Sequence, residues 1–175
     1  MKPGRTTIPL DHPLRDFLRK LTTMSFKSIR FHDQEIMFYV ADLLADFAHI
    51  DNLYKLRDVQ GRRLEYLVDM LLEASARSSS EEREARKHIG DYCLFIVGLF
   101  PESFGRRGRK SVSPEYYIEQ GKESYLMVSE FDQLNPTASF FRKLSSHFEI
   151  CVNALNIEKD YLYDPFYQYL MRQML

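Results

Sequence analysis

Tryptophan is absent from this chain, and cysteine occurs only twice among 175 residues. Two cysteines make no disulfide framework. Cys93 and Cys151 both fall on apolar helix faces, where a reduced thiol packs as a small hydrophobe, and a single bridge between them stays open. Strand signals are nearly missing: there is no sustained period-two alternation and no Asn-Gly or Asp-Gly hairpin. Charge of one sign is missing too. A formal net charge of -1 argues against a surface built throughout for nucleic acid or anionic lipid, both of which reward a basic excess. No apolar run approaches the roughly 20 residues of a membrane span. The opening Met-Lys-Pro-Gly-Arg-Thr-Thr lacks the apolar run of a signal peptide, so the cytoplasm is the expected compartment. No Gly-x-Ser-x-Gly elbow and no Gly-Lys-Ser/Thr phosphate loop occurs.

What is present is helical periodicity around a large aromatic content, 13 Phe and 11 Tyr, with an apolar share of 45%. Rings of this size bury enough area for a core without metal or disulfides. The reading is an all-α, single-domain irregular bundle of six to seven helices over residues 1–175, with 1–10 as a flexible N-terminus and 101–113 as a basic inter-helix loop.

The first helix is predicted over about His12 to Thr22, capped by Asp11, with Leu14, Phe17, Leu18 and Leu21 on one stripe. The second covers about Asp33 to Ile50. The third covers about Gly61 to Ala76, with Leu64, Leu67, Val68, Leu71 and Leu72 turned inward. Ser79 and Glu82 have the form of a capping box and open a central helix to Phe100 that becomes apolar on every side. Ser113 followed by Pro114 starts the fifth, with Tyr117, Gly121, Ser124, Val128 and Phe131 on one face. Asn135-Pro136 starts the sixth, with Phe141, Leu144, Phe148, Cys151 and Leu155 at heptad-like spacing, and Asp164-Pro165 opens a last short helix.

Four features can carry chemistry. Asp42, Asp46 and His49 share a face of the second helix, with Glu35 further along it, and Glu84, His88 and Asp91 share a face of the fourth. Asp46-x-x-His49 approximates the Glu-x-x-His pattern of carboxylate-bridged metal bundles, so iron, manganese or zinc with redox or oxygen chemistry is one alternative, to which Glu119, Glu123 or His147 can add ligands. Against it, Asp42, Asp46 and His49 lie roughly 110 to 180 degrees from the Val40 stripe, which is a solvated face. A contact between Asp91 and His88 or a neighbouring helix explains the second set without metal. Next, Arg106, Arg107, Arg109 and Lys110 stand among glycines and can bind an anion or an acidic partner. Third, Tyr161, Tyr163, Phe166, Tyr167 and Tyr169 crowd the C-terminal segment, which either packs back on the bundle or completes a homodimer. Finally, Gly90, Gly98 and Gly121 lie inside helices and, with Tyr117, mark either a close helix crossing or a small-ligand pocket. Cys93 and His88 stand five residues apart, off-face by about 140 degrees, and make a poor nucleophile pair.

The run Gly90-Asp91-x-x-Leu94-Phe95-x-x-Gly98-Leu99-Phe100-Pro101-Glu102, followed by Tyr116-Tyr117-Ile118-x-x-Gly121-Lys122-x-x-Tyr125, resembles a pattern of a bacterial all-helical family to which no activity is attached. The resemblance covers under a quarter of the chain. It implies a bacterial source and a site at the junction of the fourth and fifth helices. The first functional reading is a non-catalytic cytoplasmic binding module, with a second copy or another protein as partner, no cofactor, and neither nucleic acid nor membrane as target.

Overall fold

The computed structural model describes residues 7–104 and 112–174. Among them the fold is all-α: nine α-helices, one 3-10 turn and no strand, with a single isolated bridge between Arg57 and Arg63. The helices are α1 (Pro13–Ser28), α2 (Gln34–Phe47), α3 (Ile50–Leu53), α4 (Leu67–Ser75), α5 (Ser79–Leu99), α6 (Pro114–Phe131), α7 (Thr137–Ser146), α8 (Phe148–Leu162) and α9 (Pro165–Met174). No described helix is long and apolar enough to cross a membrane. The contacts gather into two units, residues 1–53 with 153–175 and residues 54–152.

In the first unit, α1 packs on α2 and touches α9. The α1 stripe Leu14, Leu18, Leu21 and Phe26 is buried, as is Ile36, Val40, Leu43 and Leu44 of α2. The cap of α1 is His12, one residue later than expected: its Nδ1 accepts from the Leu14 amide at 3.2 Å. The helix also runs further than expected, to Ser28, because Ser25 and Phe26 continue its buried face. It ends in a left-handed residue, Arg30 at φ 61, with the Phe31 amide donating back to Phe26 O at 3.1 Å. That is a Schellman closure built without its usual glycine. Residues 8 and 9 are held in place: Arg15 Nε donates to the carbonyls of Ile8 and Pro9, and Ile8 is buried.

In the second unit, α5 is the core element. Every residue from His88 to Leu99 is buried, in keeping with its apolar surround, and α4, α6 and the 3-10 turn Pro101–Phe104 pack against it. The α5 cap lies one residue before the expected capping box: Ser78 precedes the helix and its hydroxyl donates to Glu81. Ser113 caps α6 as expected, accepting from the Tyr116 amide at 3.2 Å. Phe131, expected on the inner face, is exposed, since α6 ends there and the chain turns at Asp132.

The third expected helix is the largest correction. Residues 61–66 are not helical. The Asp58 carboxylate accepts from the amides of Gln60 and Arg62, and Gly61 takes φ 80, so this stretch is a tight turn that delays α4 to Leu67. The shift in start changes the inner face: Leu67, Met70 and Ala74 are buried, whereas Val68 and Leu72 are exposed. The expected sixth helix divides at His147 into α7 and α8, yet Phe141, Leu144, Phe148, Cys151 and Leu155 are all buried as predicted.

Candidate functional site

Of the candidate site residues named above, Tyr117 borders a substantial cleft. The cleft encloses about 640 Å³ in the second unit, within the span of small-molecule sites. Its lining comes from three places far apart in sequence. Tyr54 follows α3; Glu65, Tyr66, Leu67, Val68 and Asp69 start α4; Ser103, Val112, Tyr116 and Tyr117 flank the start of α6. Tyr117 is buried, Tyr54 and Tyr116 are half-buried, and Glu65, Tyr66 and Asp69 are exposed. The lining is therefore graded from a ringed interior to a carboxylate-bearing edge.

The rings are braced from behind. Tyr92, fully buried on α5, lies 6.2 Å from the Tyr54 ring and 6.4 Å from the Tyr117 ring, centroid to centroid. Phe104 meets Tyr117 edge-on at 4.9 Å. Edge-to-face and tilted contacts of this kind favour one arrangement of the rings and preorganise the wall. The Tyr92 hydroxyl points to the Glu65 carbonyl at 3.4 Å, tying α5 to the segment that enters α4. His88, also fully buried, stands 6.4 Å from Tyr92, one layer behind the wall.

Among the described residues, neither Glu65 nor Asp69 enters an ion pair, and no Lys, Arg or His lines the cleft. A shallower groove of about 590 Å³ adjoins it and shares Glu65, Tyr66 and Asp69. That groove also holds Arg62 and Arg63, and the Arg62 guanidinium is clasped by Asp58 at 2.7 Å. Ser103, the serine of the main cleft's described lining, donates to the Phe100 carbonyl at 2.7 Å as part of the 3-10 turn.

The glycines sit elsewhere. A Cβ at Gly90 would stand 2.5 Å from the Tyr125 ring, and one at Gly121 would run into the Phe148 ring with Cys93 Cβ at 3.0 Å. Gly90 and Gly121 are thus the close crossing of the α5 and α6 region, filled by aromatic rings. Gly98 is buried inside α5. Burial drives the Cys93 thiol far above its ordinary pKa, so it stays a neutral packing group.

Four carboxylates of these sets, Asp42, Asp46, Glu84 and Asp91, are tied to cations and a hydroxyl. In the first unit Arg15, its side chain 4% exposed, places Nη1 3.4 Å from Asp42 and Nη2 2.9 Å from Asp46. Arg19 adds a second contact to Asp42 at 3.3 Å and lies over the Phe38 ring. His49 and Glu35 lie outside this pairing, His49 beyond the end of α2. In the second unit Asp91 accepts from the Tyr125 hydroxyl at 2.6 Å and pairs with Lys87 at 2.8 Å. The exposed Glu84 pairs with its neighbour Arg83. Among the described residues no three His, Cys, Asp or Glu gather as a metal-ligating group. Arg106, Arg107, Arg109 and Lys110 lie outside the described residues.

Two buried polar sites were not foreseen. Asp132, after α6, takes both Nε and Nη2 of Arg83 at 3.0 and 2.7 Å and accepts from Thr137 at 2.8 Å. The Arg83 hydrogen bonds hold its carboxyl below the ordinary value and raise the Arg83 pKa in return. Glu158 of α8 is wholly buried in the first unit, with Thr22 donating to its Oε1 at 2.9 Å and Oε2 left without a partner among the described residues. No family model, no curated protein and no solved structure matches this chain.

Proposed function

We propose that this chain is a non-catalytic helical binding domain that takes a small ligand in the tyrosine-lined cleft of its second unit, and that it works in the cytoplasm. The cleft itself carries the reading. It has the volume of a ligand site, a preorganised aromatic wall and a few polar groups at its edge, the composition that small-molecule sites share. Its described lining offers rings and carboxylates, and its one aliphatic hydroxyl, Ser103, donates to a backbone carbonyl. Binding is what such a set of groups does; acyl or phosphoryl transfer needs a nucleophile, a base and an oxyanion donor.

The test is a fragment screen by NMR on the whole chain, with the Tyr54, Tyr66, Tyr116 and Tyr117 resonances assigned. Fragments that shift this group, and lose their effect in Tyr66→Ala, support the proposal. A screen in which hits cluster elsewhere, or do not occur, overturns it.

A second reading is self-association through α9. Phe166 and Tyr169 are 63% and 60% exposed and stand three residues apart on one helix face, and tyrosine-rich apolar faces are enriched at interfaces. Sedimentation at several concentrations decides it. A concentration-dependent mass that reverts to monomer in Phe166→Ser supports the dimer, and a monomer throughout removes it.

A further inference from the structure

We infer that the ligand of the tyrosine cleft is a small organic cation, an amine or a methylated ammonium; this rests on the reading of the cleft as a binding site. Two properties of the lining meet here. Four tyrosines, Tyr54, Tyr66, Tyr116 and Tyr117, present π-systems whose faces attract a cation placed within about 6 Å of the ring centroid. Two carboxylates, Glu65 and Asp69, stand among them without an ion pair among the described residues.

Within the described lining the opposing field is smaller. The cleft also meets the first turns of α4 and α6, and a helix start carries about half a positive charge. Tyr66 provides no side-chain cap to α4, and the positive end of that helix would suit an anion taken alone. Two carboxylate charges against at most about one positive charge from two helix starts leave the described lining net negative. Asp69 moreover sits in the first turn of α4, where it offsets that helix's dipole directly. Arg62 and Arg63 line the adjoining groove, and Asp58 already holds Arg62.

The ligand is read as small because the tyrosines enclose one volume and form no track along the surface. Rings at the interior and carboxylates at the exposed edge suit a cation whose alkyl substituents enter first, with its charge remaining in reach of Glu65 and Asp69. A methylated ammonium fits this arrangement well, being apolar over its surface and charged at its centre.

The experiment is an NMR titration of the full chain with three probes matched in size: choline, its uncharged isostere 3,3-dimethyl-1-butanol, and acetate. The variants are Tyr66→Leu and the pair Glu65→Gln with Asp69→Asn, all at exposed positions, each checked for wild-type melting. Choline is expected to shift the cleft tyrosines and to bind at least about tenfold tighter than its isostere, an advantage that shrinks with added salt. The double carboxamide variant is expected to weaken choline by about tenfold, the effect of removing two partly exposed charges. If the isostere or acetate shifts the same tyrosines as strongly as choline, the cleft remains a binding site and the cation assignment falls. If none of the three shifts them while the fragment screen does, the cation assignment alone falls; if the screen also finds nothing there, the site falls with it.

Discussion

Glu158 puts the energetics of the first unit to a quantitative test. Burial pushes its carboxyl up to about 8, against an ordinary 4.5, and the Thr22 hydrogen bond only partly opposes this. Between those two values the folded chain holds a proton that the unfolded chain has released. Stability then falls as pH rises, the reverse of the usual paired carboxylate. Integrating from pH 5 to pH 8 with one titrating group yields a loss of about 3 kcal/mol. Glu158→Gln keeps an acceptor for Thr22 and cannot ionise. Its amide places a donor where Oε2 has no partner, a fixed cost of about 1–3 kcal/mol that displaces the whole curve without changing its slope. Urea unfolding followed by circular dichroism at pH 5, 6, 7 and 8 therefore separates the two effects. The stability difference, wild type minus variant, is expected to fall by about 3 kcal/mol across that range. Parallel stability curves for the two proteins would refute the reasoning, because a carboxyl that stays ionised, or stays wet, contributes no such slope.

Four further outcomes follow from the packing. Gly121→Ala gains helix propensity of about 1 kcal/mol but drives a methyl into the buried Phe148 ring, and denaturant melts are expected to show a net loss of about 1–3 kcal/mol. Tyr125→Phe removes the hydroxyl that Asp91 accepts from, at an expected cost of about 1–3 kcal/mol read the same way. Asp132→Asn unties the two-pronged Arg83 contact; since that carboxyl lies below its ordinary 3.8, the deficit is expected to be fully present above that pH and to vanish as pH falls through the lowered value. Arg30→Gly relieves a left-handed residue and is expected to raise the melting temperature, corresponding to about 1 kcal/mol.

The helices were legible where apolar spacing and a cap agreed. Ser113-Pro114 and Asp164-Pro165 both open helices as their chemistry requires, and the Phe141 to Leu155 stripe is buried throughout even though His147 divides its helix in two. The error at 61–66 came from following leucine spacing past turn chemistry that was present in the letters: Asp58 and Gly61 three residues apart are the turn, and Leu64 belongs to its exit. That error also hid the cleft. Placing Val68 and Leu72 inward turned the start of α4 away from where Tyr66 and Asp69 lie. Tyr117 was singled out, but nothing in a linear pattern joins it to Tyr54, 63 residues earlier; Tyr92 makes that link through packing. The carboxylates of α2 were placed correctly on one face, and their partner was missed because Arg15, beside Leu14 in the apolar stripe, was not read as a buried cation reaching across to them.

The central claim is that the tyrosine cleft is where this chain binds, and the most direct measurement is the choline titration watched at Tyr54, Tyr66, Tyr116 and Tyr117. Saturable shifts confined to these residues, weakened by Glu65→Gln with Asp69→Asn and lost in Tyr66→Leu, are the predicted result. A cleft whose tyrosines stay unmoved by choline, by its uncharged isostere, by acetate and by every fragment would contradict the account.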